Sequence, residues 1–449
     1  MASNWPLVKL SECASFQEGY VNPSQKKEEY FGDEIKWLRA TDLNNGSVFE
    51  TSRRLSKVGF ESAGKSALLF EPETIAISKS GTIGRVGILK DYMCGNRAVI
   101  NVKVDPNVAD NKFIFYVLRY FRPSIELLAM GSVQPNLYTS ALGTLEFNKP
   151  DLKTQKSISK ILGALDDKIE LNSQTNQTLE QMAQALFKSW FVDFDPVFDN
   201  ALASGVAVSD FPEALQKKAK QRLEQRQQFE SAEPSATYKA DVKPLPVDTL
   251  NLFPSEFEQT DEPSIGINGW IPKGWFLCEL SHFIKFANGK AKKSSDKGKY
   301  PIYGANGIIG QTDESRFNNA VIVGRVGAYC GAIEYCRNDF WASDNTIVAT
   351  SKLSEEHIPH ILYLLKFLDL NQYAGGAAQP LLNQTTLNRL KIPFSSVECM
   401  MQFNNIIDGF LLKQVKNNEQ NKELAKIRDI LLPKLISGEL TTPTTKDCA

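Results

Sequence analysis

Gly59-Phe60-Glu61-Ser62-Ala63-Gly64-Lys65-Ser66 has the literal spacing of a phosphate-cradling loop, in which glycine amides and a lysine hold the phosphates of a nucleotide. That chemistry needs a buried strand before the loop and a helix after it. Upstream stands Arg53-Arg54-Leu55-Ser56-Lys57-Val58, too charged for a central strand, and downstream Glu71-Pro72 would stall a helix. Asp195-Pro196-Val197-Phe198 is close to the motif with which amino-methyltransferases hold a flipped base. It lacks the second proline and any glycine-rich cofactor loop, and a proline ending a helix accounts for it.

Metal chemistry has little to work with. The seven cysteines contain no CxxC spacing, and His357 and His360 stand three apart on an expected helix, far in sequence from any thiol. Simple packing histidines are the expectation, with no catalytic constellation and no metal site. The remaining loop of interest is Ser78 to Gly87, SKSGTIGRVG, between two strand-like runs. Its glycines permit close backbone approach, and Lys79 and Arg85 supply positive charge.

Such loops need scaffolding, and the scaffolding repeats. After Pro150, Ile158, Leu162, Leu165, Ile169, Asn172, Asn176, Leu179, Ala183, Leu186 and Trp190 alternate spacings of four and three, which is a heptad seam. A shift of 245 gives Phe403, Ile407, Phe410, Gln414, Asn417, Asn421, Leu424, Arg428, Leu431 and Leu435. Seam asparagines are buried cheaply only opposite another hydrogen-bonding group, so Asn172, Asn176, Asn417 and Asn421 are expected to set helix pairing. In an antiparallel pair Asn172 faces the Asn421 region and Asn176 the Asn417 region. Each helix, roughly 50 Å at 1.5 Å per residue, would then hold two globules at opposite ends of a rod.

The globules repeat too. Trp5, Leu10, Phe16 and Gly19 recur as Trp275, Leu280, Phe286 and Gly289, a shift of 270. Ile322 to Ile333 repeats the layout of the Lys79 loop, and GSVQPNL from Gly131 recurs as GAAQPLL from Gly376. The unit is a globule followed by a helix, twice. In the first globule Thr74 to Ile77, Val86 to Leu89 and Ala98 to Val104 have strand character, and Asn111 to Phe121 has helical spacing. The class is therefore mixed α/β, with a target-sized globule at 1–150, a helix at 151–195, a helix plus extended linker at 196–269, a second globule at 270–394, a helix at 395–438 and a tail at 439–449. On the 196–269 segment, Phe211, Leu215, Ala219 and Leu223 form a thin apolar stripe. Its basic face, Lys217, Lys218, Lys220, Arg222 and Arg226, could touch a phosphate backbone, but a solvated face is the commoner explanation.

Composition restricts partners. With 51 Lys+Arg against 52 Asp+Glu the net charge is −1, so any nucleic acid must be met by local patches. The start MASNWPLVKL has no signal-like apolar core and no apolar run reaches 18 residues, which reads as a cytoplasmic, reduced protein without a membrane contact.

The order of these features, with FPSEFE from Phe253, IPKGW from Ile271 and LLPKLISGEL from Leu431, resembles the specificity (S) subunit of type I restriction-modification enzymes over essentially the whole chain. The resemblance implies two target-recognition domains joined by two long antiparallel coiled-coil helices with an internal pseudo-two-fold repeat. It implies double-stranded DNA as ligand, two methyltransferase (M) subunits docked on the helices, and restriction (R) subunits reached through them. S-adenosylmethionine, ATP and Mg would then sit on the partners, with no cofactor and no catalytic residue in this chain. Arg428 in the seam and Pro433 within the second helix depart from the pattern; the proline is expected to kink or end the helix early.

Arg and Lys pair with guanine, and Asn and Gln with adenine. The candidate DNA contacts are therefore Lys79, Ser80, Arg85, Asn96 and Arg97 in the first unit, and Tyr303, Asn306, Arg325 and Tyr329 in the second. Gln134 and Gln379 are expected to be structural. A self-sufficient methyltransferase would need motifs absent here, while a coiled-coil scaffold or adaptor would need no paired globules with charged loops.

Overall fold

The computed structural model describes residues 5–131, 135–231, 245–376 and 380–441. The chain divides into two compact units, Met1–Gln174 with Lys416–Ala449, and Thr175–Val415. The division falls inside both long helices, Leu152–Phe191 and Val397–Ile436. Gln134 and Gln379 lie outside the described residues.

The first unit is built on β-branched runs buried on both faces. Ile75–Ser78 and Val86–Leu89 pair antiparallel, and Val99–Val104 pairs antiparallel with both Ile75–Ser78 and Ala14–Glu18. A second sheet centres on Phe31–Leu38, whose Trp37 and Leu38 run parallel to Cys94 and Gly95. Helix Asn111–Tyr120 starts where Asp110 accepts the amide of Phe113 at 2.9 Å, and it buries Phe113 to Leu118 against the first sheet.

The second unit repeats this plan. Ile284–Asn288, Thr346–Ser351, Ala320–Gly324 and Ile333–Cys336 form its main sheet in that order. Tyr300–Gly304 pairs parallel with Trp341–Ala342 and antiparallel with Gly307–Thr312. Helix Ile358–Phe367 takes the place of Asn111–Tyr120.

Each long helix begins at a side-chain cap 245 residues from the other. Asp151 accepts the amide of Thr154 at 2.8 Å, and Ser396 that of Cys399 at 3.2 Å. Within the first unit the two helices run antiparallel. Ile158 and Leu162 share a core with Leu432, Leu435 and Ile436, Asp166 meets Arg428 at 2.7 Å, and Asn172 Nδ2 donates to Asn421 Oδ1 at 2.9 Å and Gln420 Oε1 at 2.8 Å. Within the second unit Gln414 Nε2 donates to the Asn176 carbonyl at 3.0 Å, and Trp190 and Phe191 pack on Phe403 at 6.1 and 5.4 Å. Asn417 is buried.

Pro433 does not break the second helix, which continues to Ile436. It falls in the last turn, where few intrahelical bonds depend on it, and Leu435 and Ile436 are held by the core. Pro196 opens a new helix, Asp195–Ala203, in its first turn, so it is a starter as well as a stop.

The segment expected as helix plus extended linker is a built insert. Phe198, Phe211, Leu215 and Ala219 form its core, with Phe257 from the hairpin Phe257–Gln259 and Trp270–Pro272 packed on it. Part of the linker expectation, residues 232–244, lies outside the described residues. The basic face is solvated only in part: Lys217 and Lys220 are exposed, but Arg222 is buried in a two-pronged pair with Asp199 at 2.8 and 2.7 Å, Arg226 Nη1 donates to the Asp199 carbonyl at 2.7 Å, and Lys218 bridges Asp193 and Asp195 at 3.1 and 2.9 Å. The carboxylates of Asp193, Asp195 and Asp199 account for the charges of Lys218 and Arg222.

Candidate nucleic-acid interface

The glycine loop of the first unit is shaped by Ser78. Its hydroxyl donates to the Thr82 carbonyl and accepts the Arg85 amide at 2.9 Å, folding the chain back on itself. Gly81 and Gly84 take φ of 74° and 76°, where a Cβ is strained, and a Cβ on Gly84 would also meet Arg122 Cγ at 2.9 Å.

Backbone bonds tie this loop into a frame that recurs in the second unit. The amide of Lys79 donates to Ala98 at 2.7 Å and its carbonyl accepts from Leu137 at 2.9 Å; Arg325 does the same with Asn345 and Leu382, both at 2.9 Å. The amide of Asn96 donates to Leu38 at 3.0 Å, as that of Ser343 does to Tyr303 at 2.9 Å. Gly19 and Gly289 donate to Val99 and Thr346 at 2.9 and 3.0 Å. A Cβ at either glycine would collide with the backbone of the loop beside it. Lys79 and Arg325, and likewise Asn96 and Ser343, are thus equivalent positions.

Several candidate contacts are spent inside the protein. Lys79 is largely buried, paired with Glu18 at 2.6 Å and lying 5.3 Å from the centre of the Tyr138 ring, so its charge is neutralised rather than offered to a phosphate. Asn96 accepts the amide of Ala98 at 3.0 Å, a local turn that uses its acceptor. Tyr303 packs on Phe340 at 5.5 Å within a small core, and burial, with Cys336 beside it, raises its phenol well above the usual range. Arg325 Nε donates to the Leu382 carbonyl at 3.3 Å and serves the frame.

Other candidates remain available. Arg97 and Asn306 are exposed, Tyr329 is exposed on a short 3-10 turn, and Ser80 and Arg85 are half-buried in the loop. Neither Arg85 nor Arg97 forms an ion pair among the described residues. What the sequence reading passed over is the run from Lys290 to Lys299, with five lysines against Asp296. Charge counting within the segment would have found it.

The decoys resolve on geometry. Gly59 lies inside the short helix Lys57–Glu61 with no room for a Cβ beside the Tyr30 carbonyl, and Gly64–Ser66 is one 3-10 turn. No strand–loop–helix cradle exists there. His357 accepts from or donates to Ser354 at 2.9 Å, and His360 is buried among Phe187, Phe191, Phe283 and Phe403. Among the described residues no cluster of His, Cys, Asp and Glu could hold a metal, and no helix is long and apolar enough to cross a membrane.

The family model for the type I restriction modification DNA specificity domain matches residues 2–181 and 272–424, the two repeats found above. The type I restriction enzyme HindI specificity subunit of Haemophilus influenzae is 31% identical over 78% of this chain and 82% of its own. The MjaIX specificity subunit of Methanocaldococcus jannaschii is 25% identical over 97% and 94%. A crystal structure of a type I restriction-modification S subunit from M. genitalium aligns over 96% of each chain with a TM-score of 0.55 and 17% identity, a likeness of fold. Two repeated frames, two long helices and this match over most of the chain place the protein in the family of type I restriction-modification DNA specificity subunits.

Proposed function

We propose that each of the two units reads one half of an asymmetric, bipartite double-stranded DNA target. In this reading the long helices dock two methyltransferase subunits, through which restriction subunits join. S-adenosylmethionine, ATP and Mg would be held by those partners, and this chain would contribute recognition without catalysis.

The observation that carries the reading is a shared frame with divergent contents. The paired backbone bonds around Lys79 and Arg325 hold the two loops alike, while the side chains set on them differ: Arg97 stands where the second unit has Asp344. Different side chains on one frame suit different half-sites. Recruitment of methyltransferase subunits is supported by family membership and by helices of 40 residues each.

The test is exchange of residues 1–150 for those of a relative, followed by selection on a randomised duplex library with methyltransferase partners present. One half of the selected target should change and the other persist. Simultaneous change of both halves would refute modular reading, and assembly with no sequence preference would favour the scaffold alternative.

A further inference from the structure

The two units diverge where the central strand of the second sheet leaves the frame. In the first unit Phe31–Leu38 is followed by the whole Arg39–Arg53 segment before its antiparallel neighbour Arg54–Leu55. In the second, Tyr300–Gly304 turns through Ala305 and Asn306 directly into Gly307–Thr312. Gly307 takes φ of 82°, which this tight turn requires.

The hairpin carries a bulge. Tyr303 pairs with Ile308 and Ile302 with Gly310, so Ile309 has no opposite residue. Ile308 and Ile309 are consecutive, yet 61% and 60% exposed, whereas Ile302 on the partner strand is buried. A regular strand would turn one of two neighbours inward. The bulge leaves both in solvent beside the exposed Asn306.

The surroundings are basic. The Lys290–Lys299 run, five lysines against one aspartate, is fastened to this hairpin: Ser295 donates to the Gln311 carbonyl at 2.8 Å, the Gln311 amide to Ser294 Oγ at 3.3 Å, and Trp341 Nε1 to the Lys290 carbonyl at 2.7 Å. Lys292 is tied to Glu314 at 2.7 Å, while Lys293 and Lys297 are exposed and form no ion pair among the described residues. In a chain of net charge −1 this is a concentrated local positive patch.

We propose that the Tyr300–Thr312 hairpin is a reading ribbon of the second unit. It enters the major groove, packs Ile308 and Ile309 on a thymine methyl, presents Asn306 to the adjoining adenine edge, and is held by Lys293 and Lys297 on the flanking phosphates. Beyond the pairing of Ile302 and Tyr303 with Trp341 and Ala342 the hairpin tip is two-stranded, and a two-stranded ribbon fits that groove; the thymine methyl is the groove's one apolar feature, and asparagine matches the adenine edge. The charge of the adjoining loop favours DNA over an apolar protein partner, which would not need it. The inference rests on the DNA-recognition reading above and names the element and base type within it.

The test uses the full-length protein with its methyltransferase subunits and duplexes chosen by selection. Ile308→Ser with Ile309→Ser, both solvent-facing changes, should relax preference at one A·T position in one half-site by roughly tenfold and leave the other half unchanged. Replacing that thymine by uracil, which lacks the methyl, should weaken wild-type binding and leave the double variant indifferent. Lys293→Gln with Lys297→Gln should weaken all sequences alike and lower the log–log salt slope by about 2. If the wild type selects a target but the serine variant keeps its profile and its uracil sensitivity, the ribbon is not a reader and the broader proposal stands. Loss of methyltransferase binding with unchanged DNA selectivity would reassign the hairpin to protein docking and overturn the inference. Absence of any sequence preference in the wild type would instead defeat the reading beneath it.

Discussion

Replacing Asp166 by Ala removes the hub of a charged network inside the first unit. Asp166 Oδ1 accepts from Arg428 at 2.7 Å, and Oδ2 accepts from Tyr116 at 2.8 Å and Arg119 at 3.4 Å. The side chains of Arg428, Arg119 and Asp166 are only 13%, 14% and 20% exposed. This explains the charged seam residue: Arg428 is tolerated at an apolar position because a carboxylate on the facing helix receives it. Burial lowers the Arg119 pKa, with Asp166 opposing that shift, so the alanine variant leaves two guanidinium groups sharing one carboxylate among the described residues, Asp429, which is 60% exposed, with the Asn45 carbonyl at 3.3 Å from Arg119. Removing one partner of a buried pair costs about 3–5 kcal/mol. Residual hydration and Asp429 place the expected loss near the lower end, about 3 kcal/mol, or roughly 6–12 °C in melting temperature for a unit of this size. Denaturant unfolding of the full chain, with hydrogen exchange followed over residues 152–174 and 416–436, assigns the loss to this unit. Adding Arg428→Met should recover part of it, since the stranded charge is then gone. A loss below about 0.5 kcal/mol, or a double variant as unstable as the sum of the singles, would refute the network as described.

Three other outcomes follow from buried and half-buried polar groups. Burial lowers the pKa of His360 from 6.5 to about 3, with His357 adding to the effect, so the unfolded chain binds the extra proton and stability falls as pH drops below about 6.5. The loss from this group should reach about 1.4 kcal/mol by pH 5.5, and His360→Phe should remove that slope in a urea titration; an unchanged slope would contradict it. Asn172→Leu alone should destabilise the first unit by roughly 1–2 kcal/mol, because Gln420 and Asn421 lose their donor. Changing Asn172, Asn176, Asn417 and Asn421 together to Leu should instead raise the melting temperature while loosening the spacing tolerated between half-sites, read by binding to duplexes of graded gap length.

The long helices and the doubling of the chain were legible because they rest on local periodicity, whereas the antiparallel sense, implied only by the family resemblance, is fixed by contacts such as Asp166 with Arg428. Apolar spacings of three and four declare a seam in any context, and a constant offset of 245 needs no coordinates. The strands Val86–Leu89 and Val99–Val104 and the helix from Asn111 were legible for the same reason. The candidate contacts were less so, since a side chain's availability depends on what arrives from elsewhere in the chain. Glu18, 61 residues away, claims Lys79; Phe340 covers Tyr303; and Asp199 takes Arg222 out of an apparently solvated face. The exposure of the apolar pair on the bulged hairpin is also a tertiary fact, because the bulge beside Ile308 and Ile309 is set by their strand's register against Tyr300–Gly304. Periodicity encodes which face of an element is apolar. Which charges stay free is decided by non-local pairing, for which the sequence carries residue types but no distances.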